Sequence, residues 1–134
     1  LLVLGVVVPG VAVVQALVLV QPVAQQEPVT WIRLMAVMEI SIVPLGTGSP
    51  SVSSYVAQAL AVVKQESEVK YQLTPMGTIL EGELEKLLTI ARKMHQAVLG
   101  GEVKRVVTTI KIDERIDQDL TMEGKIKSVE RKLK

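Results

Sequence analysis

Between two segments of helical periodicity lies Tyr71-Gln72-Leu73-Thr74-Pro75-Met76-Gly77-Thr78-Ile79-Leu80-Glu81-Gly82, two short extended runs folded back on each other across Thr-Pro-Met-Gly. Proline presets φ near the value a turn needs, and Gly77 is read as the residue that takes positive φ at the reversal. The simplest structure is a hairpin. Its position constrains everything around it, because a hairpin with a helix on each side needs a further strand at each end. The chain then reads strand, helix, strand, strand, helix, strand.

The outer elements follow from local pattern. From Met38 the residues alternate, with Ile40 and Ile42 on one side and Glu39, Ser41 and Val43 on the other, until Pro44 is expected to end the strand. Gly46-Thr47-Gly48 reads as a bend, with Ser49 as helix N-cap and Pro50 in the first helical position. Val52, Tyr55, Val56, Ala59, Leu60 and Val63 give the first helix one apolar face. Val69, Tyr71 and Leu73 alternate as the second strand, Thr78 to Glu81 form the third, and Gly82 separates it from the second helix. There Leu84, Leu87, Leu88, Ala91, Met94 and Val98 line one face, and Gly100-Gly101 ends it. Arg105 to Asp113 is the fourth strand, with Val106, Thr108, Ile110 and Ile112 facing one way and Val107, Thr109, Lys111 and Asp113 the other. Thr121 caps a short C-terminal helix carrying Ile126, Val129 and Leu133 as a narrow apolar stripe. The expected fold is an α+β, ferredoxin-like βαββαβ sandwich: an antiparallel four-stranded sheet in the order 4-1-3-2, two helices on one face and the C-terminal helix appended.

Residues 1–26 carry no charge and are rich in Val and Leu. A stretch of about 20 apolar residues can span a bilayer. Here Pro9-Gly10, Gln15 and the absence of a basic flank weaken that reading, and a secretory signal is no better supported. Residues 1–37 are therefore expected to be an extension outside the domain of residues 38–134, and a membrane association rests on that extension being a genuine anchor. A net charge of +1 provides no field to recruit nucleic acid. Cysteine is absent, which removes thiolate chemistry and cysteine metal sites and suits a reducing cytoplasm. With no Phe, and Trp31, Tyr55 and Tyr71 as the whole aromatic complement, the core is aliphatic and small, which favours self-association as a dimer or tetramer.

Each chemical candidate has a plain alternative. The Gly46–Ser49 bend leads into a helix N-terminus that suits anions, yet it lacks the lysine and glycine spacing of a phosphate loop, so it reads either as a capping loop or as part of a ligand site. His95 is the one histidine and lies near the apolar face of its helix, where a hydrogen-bonded core imidazole is the simpler reading and no metal or catalytic partner is placed beside it. Asp113, Glu114, Asp117 and Asp119 crowd one loop without calcium-loop spacing, and Lys111 and Arg115 interleave to pair with them. The sheet face away from the helices carries Glu39, Ser41, Gln72, Thr74, Thr109 and Lys111 beside Val43 and Val107. It reads as a wet face, an oligomer interface or a polar-lined ligand slot. Base stacking on this sheet is disfavoured by the absence of Phe, and an acylphosphatase-like site by the absence of an arginine in the first loop. No catalytic or metal constellation is assigned.

Read together, Ile42 to Ser49, Tyr71 to Gly82 and Arg105 to Asp113 resemble the small thiamine-binding protein family related to YkoF, and the similarity runs from Met38 to about Leu133. The resemblance implies a non-enzymatic binder of thiamine or its hydroxymethylpyrimidine part, serving sequestration, salvage or delivery, with the vitamin as ligand and no catalytic cofactor. It also implies self-association through the sheets. A structural or regulatory homo-oligomer without a small-molecule ligand is the alternative. On this reading Thr74, Met76 and Thr78 at the hairpin, Thr47 and Ser53 at the first helix start, and Glu39, Ser41, Leu45 and Thr109 are the expected ligand-binding residues. Thr109 or Ser41 would bond the pyrimidine edge, Met76 and Leu45 pack its faces, and Glu39 meet a ring nitrogen or offset the cation.

Overall fold

A computed structural model describes residues 34–133. Seven elements follow in order: β1 (Met35–Leu45), α1 (Ser53–Lys64), β2 (Lys70–Leu73), β3 (Thr78–Glu83), α2 (Leu84–Val98), β4 (Arg105–Asp113) and α3 (Met122–Glu130). The strands form one antiparallel sheet in the order β2-β3-β1-β4. This is the α+β arrangement and strand order expected from element sequence.

Period-two alternation sets the two faces. Ala36, Met38, Ile40, Ile42 and Pro44 of β1 are buried under the helices, and register places Leu80 and Thr78 of β3 beside Met38 and Ile40 on the same side. α2 contributes Leu87, Ile90, Ala91, Met94 and Val98, and α1 contributes Ala59 and Val63. The core is aliphatic throughout. Fully burying one such side chain stabilises the fold by roughly 1.5–3 kcal/mol.

Several local expectations are corrected. β1 begins at Met35, ahead of Met38, because the alternation runs back through Ala36 and this segment pairs with Gly82 and Glu83 of β3. The rest of the expected extension, residues 1–33, lies outside the described residues. Pro44 does not end β1: it sits opposite Val106, beyond Ile40, the last residue to pair with β3, so one edge of the strand is unpaired among the described residues and tolerates a missing N–H. α1 starts at Ser53 with Val52 at the N-cap and no side-chain cap, whereas Ser49 bonds the Ser51 N–H (3.2 Å) within the preceding loop. Gly82 lies inside β3, and α2 follows directly from Glu83. Leu88 falls on the flank of the α2 stripe and is 45% exposed, its expected place being taken by Ile90.

Coverage of the sheet is uneven. Tyr71 and Leu73 face the helix side by register, as do Ile110 and Ile112, yet all four are exposed because they lie on edge strands beyond the helices. On the opposite face the segment after β4 returns across the sheet. Asp119 accepts the Met35 N–H at 2.7 Å, Leu120 donates to the Met35 carbonyl at 3.0 Å, and α3 begins over Glu81.

Candidate ligand-binding cleft

The hairpin tip bends away from β1 after the Ile40–Thr78 pair, and the gap it leaves is the feature that shapes the cleft. Thr74 organises that tip. Its N–H and hydroxyl both donate to the Gly77 carbonyl (2.9 and 2.7 Å), and its hydroxyl accepts the Gly77 N–H at 3.2 Å. Gly77 does not take positive φ; the glycines that do are Gly46, Gly48, Gly100 and Gly101. It is glycine because a Cβ there would lie 3.0 Å from the Ile40 carbonyl oxygen. Close approach to β1, not turn geometry, requires it.

Between this tip, the free edge of β1 and the start of α1 is a cleft of about 310 Å³. Ile40 to Val43 form its floor, Val52, Val56 and Ala59 one wall, and Leu73 to Thr78 the other, with Met94 at the back. It is at the small end of the range typical of ligand pockets, roughly 300–1,000 Å³. No charged side chain lines it. The Thr78 hydroxyl has no hydrogen-bond partner among the described residues, and Thr78 is only 5% exposed.

Two larger grooves, of about 520 and 580 Å³, flank α3. Both are lined largely by charged and polar side chains, several already joined in ion pairs. The smaller cleft has the stronger ligand character, since apolar walls with a few fixed polar groups are the usual make-up of such sites.

The expected ligand-binding residues separate into groups. Ser41, Thr74, Met76 and Thr78 line the cleft. Glu39, Thr109 and the side chain of Ser41 share the sheet face away from the helices, where Glu39 pairs with Lys111 at 3.0 Å and Thr109 stands opposite Ser41, so Ser41 borders the cleft only from the strand edge. Leu45 ends β1 opposite Arg105. The Thr47 hydroxyl donates to the Ser49 carbonyl at 3.0 Å, and Ser53 opens α1 with its hydroxyl 3.4 Å from that of Ser51. The walls Val52, Val56, Ala59 and Met94 were legible only as a core stripe. Their proximity to the glycine-rich bend was the one signal that they border an opening.

The other candidates resolve into structural contacts. His95 Nδ1 lies 2.7 Å from the Thr108 hydroxyl, a bond that ties α2 to β4. Arg115 holds Asp117 through two nitrogens and draws its carboxyl below the ordinary range, Lys125 pairs with Asp113, and Asp119 accepts the Met35 N–H. Lys111 pairs with Glu39 and not with the loop acids. No group of three or more His, Asp or Glu side chains among the described residues could hold a metal ion. Sequence reasoning gave no role to Glu81, a 4% exposed carboxylate that accepts the Met122 N–H at 2.9 Å, with Lys70 at 3.9 Å. Its place opposite Lys70 depends on register.

Comparison with known proteins agrees with this architecture. The chain is 43% identical over 102 residues to the UPF0045 protein YqgV of Bacillus subtilis, covering 74% of this chain and 98% of that one. It is 45% identical over 93 residues to the UPF0045 protein MJ1052 of Methanocaldococcus jannaschii, covering 69% and 90%. The crystal structure of that archaeal protein superposes with a TM-score of 0.66 at 43% identity, over 71% of this chain and 95% of the other. A Thermotoga maritima structure described as a thiamine biosynthesis/salvage protein shares the fold at a TM-score of 0.61 and 21% identity, over 71% and 98%. No helix among the described residues is long and apolar enough to cross a membrane. Residues 38–130 match the family described as thiamine-binding protein, and with these relatives the match shows that the chain belongs to that family.

Proposed function

We propose that this protein is a non-enzymatic, cytoplasmic binder of thiamine through its hydroxymethylpyrimidine half, seated in the cleft between the hairpin tip and α1. Sequestration, salvage or delivery of the vitamin is the corresponding role, carried out by a self-associated dimer or tetramer. The observation that carries the reading is the Thr78 hydroxyl, without a hydrogen-bond partner among the described residues, in an uncharged cleft with apolar walls. A neutral, flat aminopyrimidine wants two or three hydrogen bonds and aliphatic surface on its faces. The thiazolium and any phosphate want opposite charge, which the cleft does not supply, so they belong at its mouth. General acid–base chemistry needs a titratable side chain at the reacting atoms, and the lining has none. That supports binding over turnover.

Calorimetry and thermal shift of the full chain with thiamine, its phosphates and hydroxymethylpyrimidine test this. Hydroxymethylpyrimidine and thiamine are expected to bind with similar affinity, and a hundredfold excess over Kd stabilises by roughly 2.7 kcal/mol. Thr78→Val removes one hydroxyl and is expected to weaken binding about fivefold, near 1 kcal/mol. Absence of heat and of thermal shift with all of these compounds rejects the reading in favour of a structural or regulatory oligomer. Binding unaffected by Thr78→Val moves the ligand out of the cleft.

A further inference from the structure

The two edges of β1 are not used equally. On the β4 side its partners run unbroken from Val37–Asp113 to Leu45–Arg105, whereas on the β3 side they stop at Ile40–Thr78, where the hairpin tip bends away. In an antiparallel ladder the N–H and C=O of one residue point to the same side, and successive residues alternate. Two contacts fix which residues serve which edge. The Ile40 carbonyl oxygen lies 3.0 Å from where a Cβ on Gly77 would stand, so Ile40 points toward the hairpin. The Met35 carbonyl instead accepts the Leu120 N–H, from the segment that follows β4. By alternation Ile42 points, like Ile40, away from β4. There its N–H and C=O have no partner among the described residues. Pro44, next on the same edge, has no N–H to offer, so Ile42 alone on this stretch presents a donor and an acceptor together. Ser41 and Val43 line the cleft although their side chains face the other side of the sheet, which means that the cleft reaches the strand edge itself.

We infer that this free backbone edge reads the ligand: the Ile42 N–H donates to a ring nitrogen, and the Ile42 carbonyl accepts from the exocyclic amino group beside it. The inference deepens the proposed function and rests on the cleft being the pyrimidine site. An aminopyrimidine carries that acceptor and that donor side by side on one flat edge, much as a neighbouring strand carries its own carbonyl and N–H. The ring therefore takes the place of the residue that the hairpin tip withdraws, lying in the extension of the sheet with Val52 and Val56 on its helix side. The Thr78 hydroxyl, one pair back along the ladder, is left for a third bond. Backbone groups unpaired in an apolar cleft cost free energy, and a ligand edge that satisfies both at once recovers it. The class of ligand is thus a flat heteroaromatic ring with an amino group next to a ring nitrogen. The thiazolium half of thiamine has no such edge.

Amide hydrogen exchange of the isotope-labelled full chain, followed residue by residue, tests this with hydroxymethylpyrimidine and with its analogue lacking the amino group. Without ligand, Ile42 is expected to exchange at least about tenfold faster than Ser41 and Val43, whose amides face Thr109 and Val107 of β4. Saturating hydroxymethylpyrimidine is expected to slow Ile42 by about tenfold or more and to leave the amides of α3 as they were. The amino-free analogue is expected to bind about tenfold more weakly, because the Ile42 carbonyl is left unpaired. An Ile42 amide as slow as its neighbours without ligand overturns the inference, since the edge is then not free. Calorimetric binding of hydroxymethylpyrimidine that leaves Ile42 exchange unchanged, or that is no tighter than binding of the analogue, overturns it too while the cleft reading stands. Binding of neither compound removes the cleft reading and this inference with it.

Discussion

Gly77 and Gly82 stand on either side of the first four residues of β3, and the two differ in what a methyl group would meet. At Gly77 it meets the Ile40 carbonyl oxygen at 3.0 Å, a backbone atom that cannot swing away. At Gly82 it meets side-chain methyls of Leu87 and Val69, both at 3.3 Å, which have some freedom to give. Gly77→Ala is therefore expected to destabilise by about 1–3 kcal/mol, the usual range for overpacking. Gly82→Ala is expected to cost less, because reduced freedom of the unfolded chain returns about 0.4–1 kcal/mol. Chemical denaturation of the two variants checks the order; equal or reversed losses would show that β1 and the tip are not held this closely. Thr74→Val tests the same tip from its polar side. It keeps the volume and removes a hydroxyl that both donates to and accepts from Gly77, so a loss of about 1–2 kcal/mol is expected.

α3 is held by its N-terminus more than by its flank. None of its residues is buried, and Ile126 and Val129 are 52% and 60% exposed. Its first turn, by contrast, is anchored at two amides: Thr121 accepts the Gly124 N–H at 3.0 Å, and Glu81 accepts the Met122 N–H from the sheet below. A carboxylate there also favours the positive end of the helix. Glu81→Ala is expected to loosen α3 while leaving the sheet folded, with hydrogen exchange faster at residues 122–130 and little changed in β1. An ionic contact just past the end of α1 adds to the apolar packing between α1 and α2. Glu66 is bound by Lys86 at 2.8 Å and Lys93 at 2.9 Å, and these bonds lower its pKa below the ordinary 4.5. A carboxylate with a lowered folded-state pKa contributes stability that is present above its unfolded value and lost as pH falls through the folded one. Glu66→Gln is thus expected to lower Tm at pH 7, with the difference from the parent closing at acidic pH below 4.5. A difference constant from neutral to acidic pH would remove the ion pairs from the account.

For the molecule as a whole, the fold was legible because its information is local. Alternation from Ile40 to Ile42, the helical stripe from Leu87 to Val98 and the glycine pair after it each point to one element, and their order admits few topologies. The cleft was legible only in part, because it depends on where β3 leaves β1, a register between residues far apart in sequence. Thr78 could be named, but its meeting with Val52 and Val56 across an opening could not. The same register orders stability across the molecule. β1 is paired on both sides from Val37 to Ile40 and β3 from Thr78 to Glu81, and both lie under the helices, whereas every residue of β2 is exposed and β4 has one edge unpaired among the described residues. Amides in the most buried, doubly paired strands open only with global unfolding, and those at edges open locally. Native-state hydrogen exchange is therefore expected to be slowest at Met38 to Ile40 and Ile79 to Glu81, and in the buried stripe of α2. It is expected to be fastest in β2 and α3. β2 amides as slow as those of β1 would show that something covers that edge in solution, and would place a contact on the sheet's β2 side that the architecture described here does not contain.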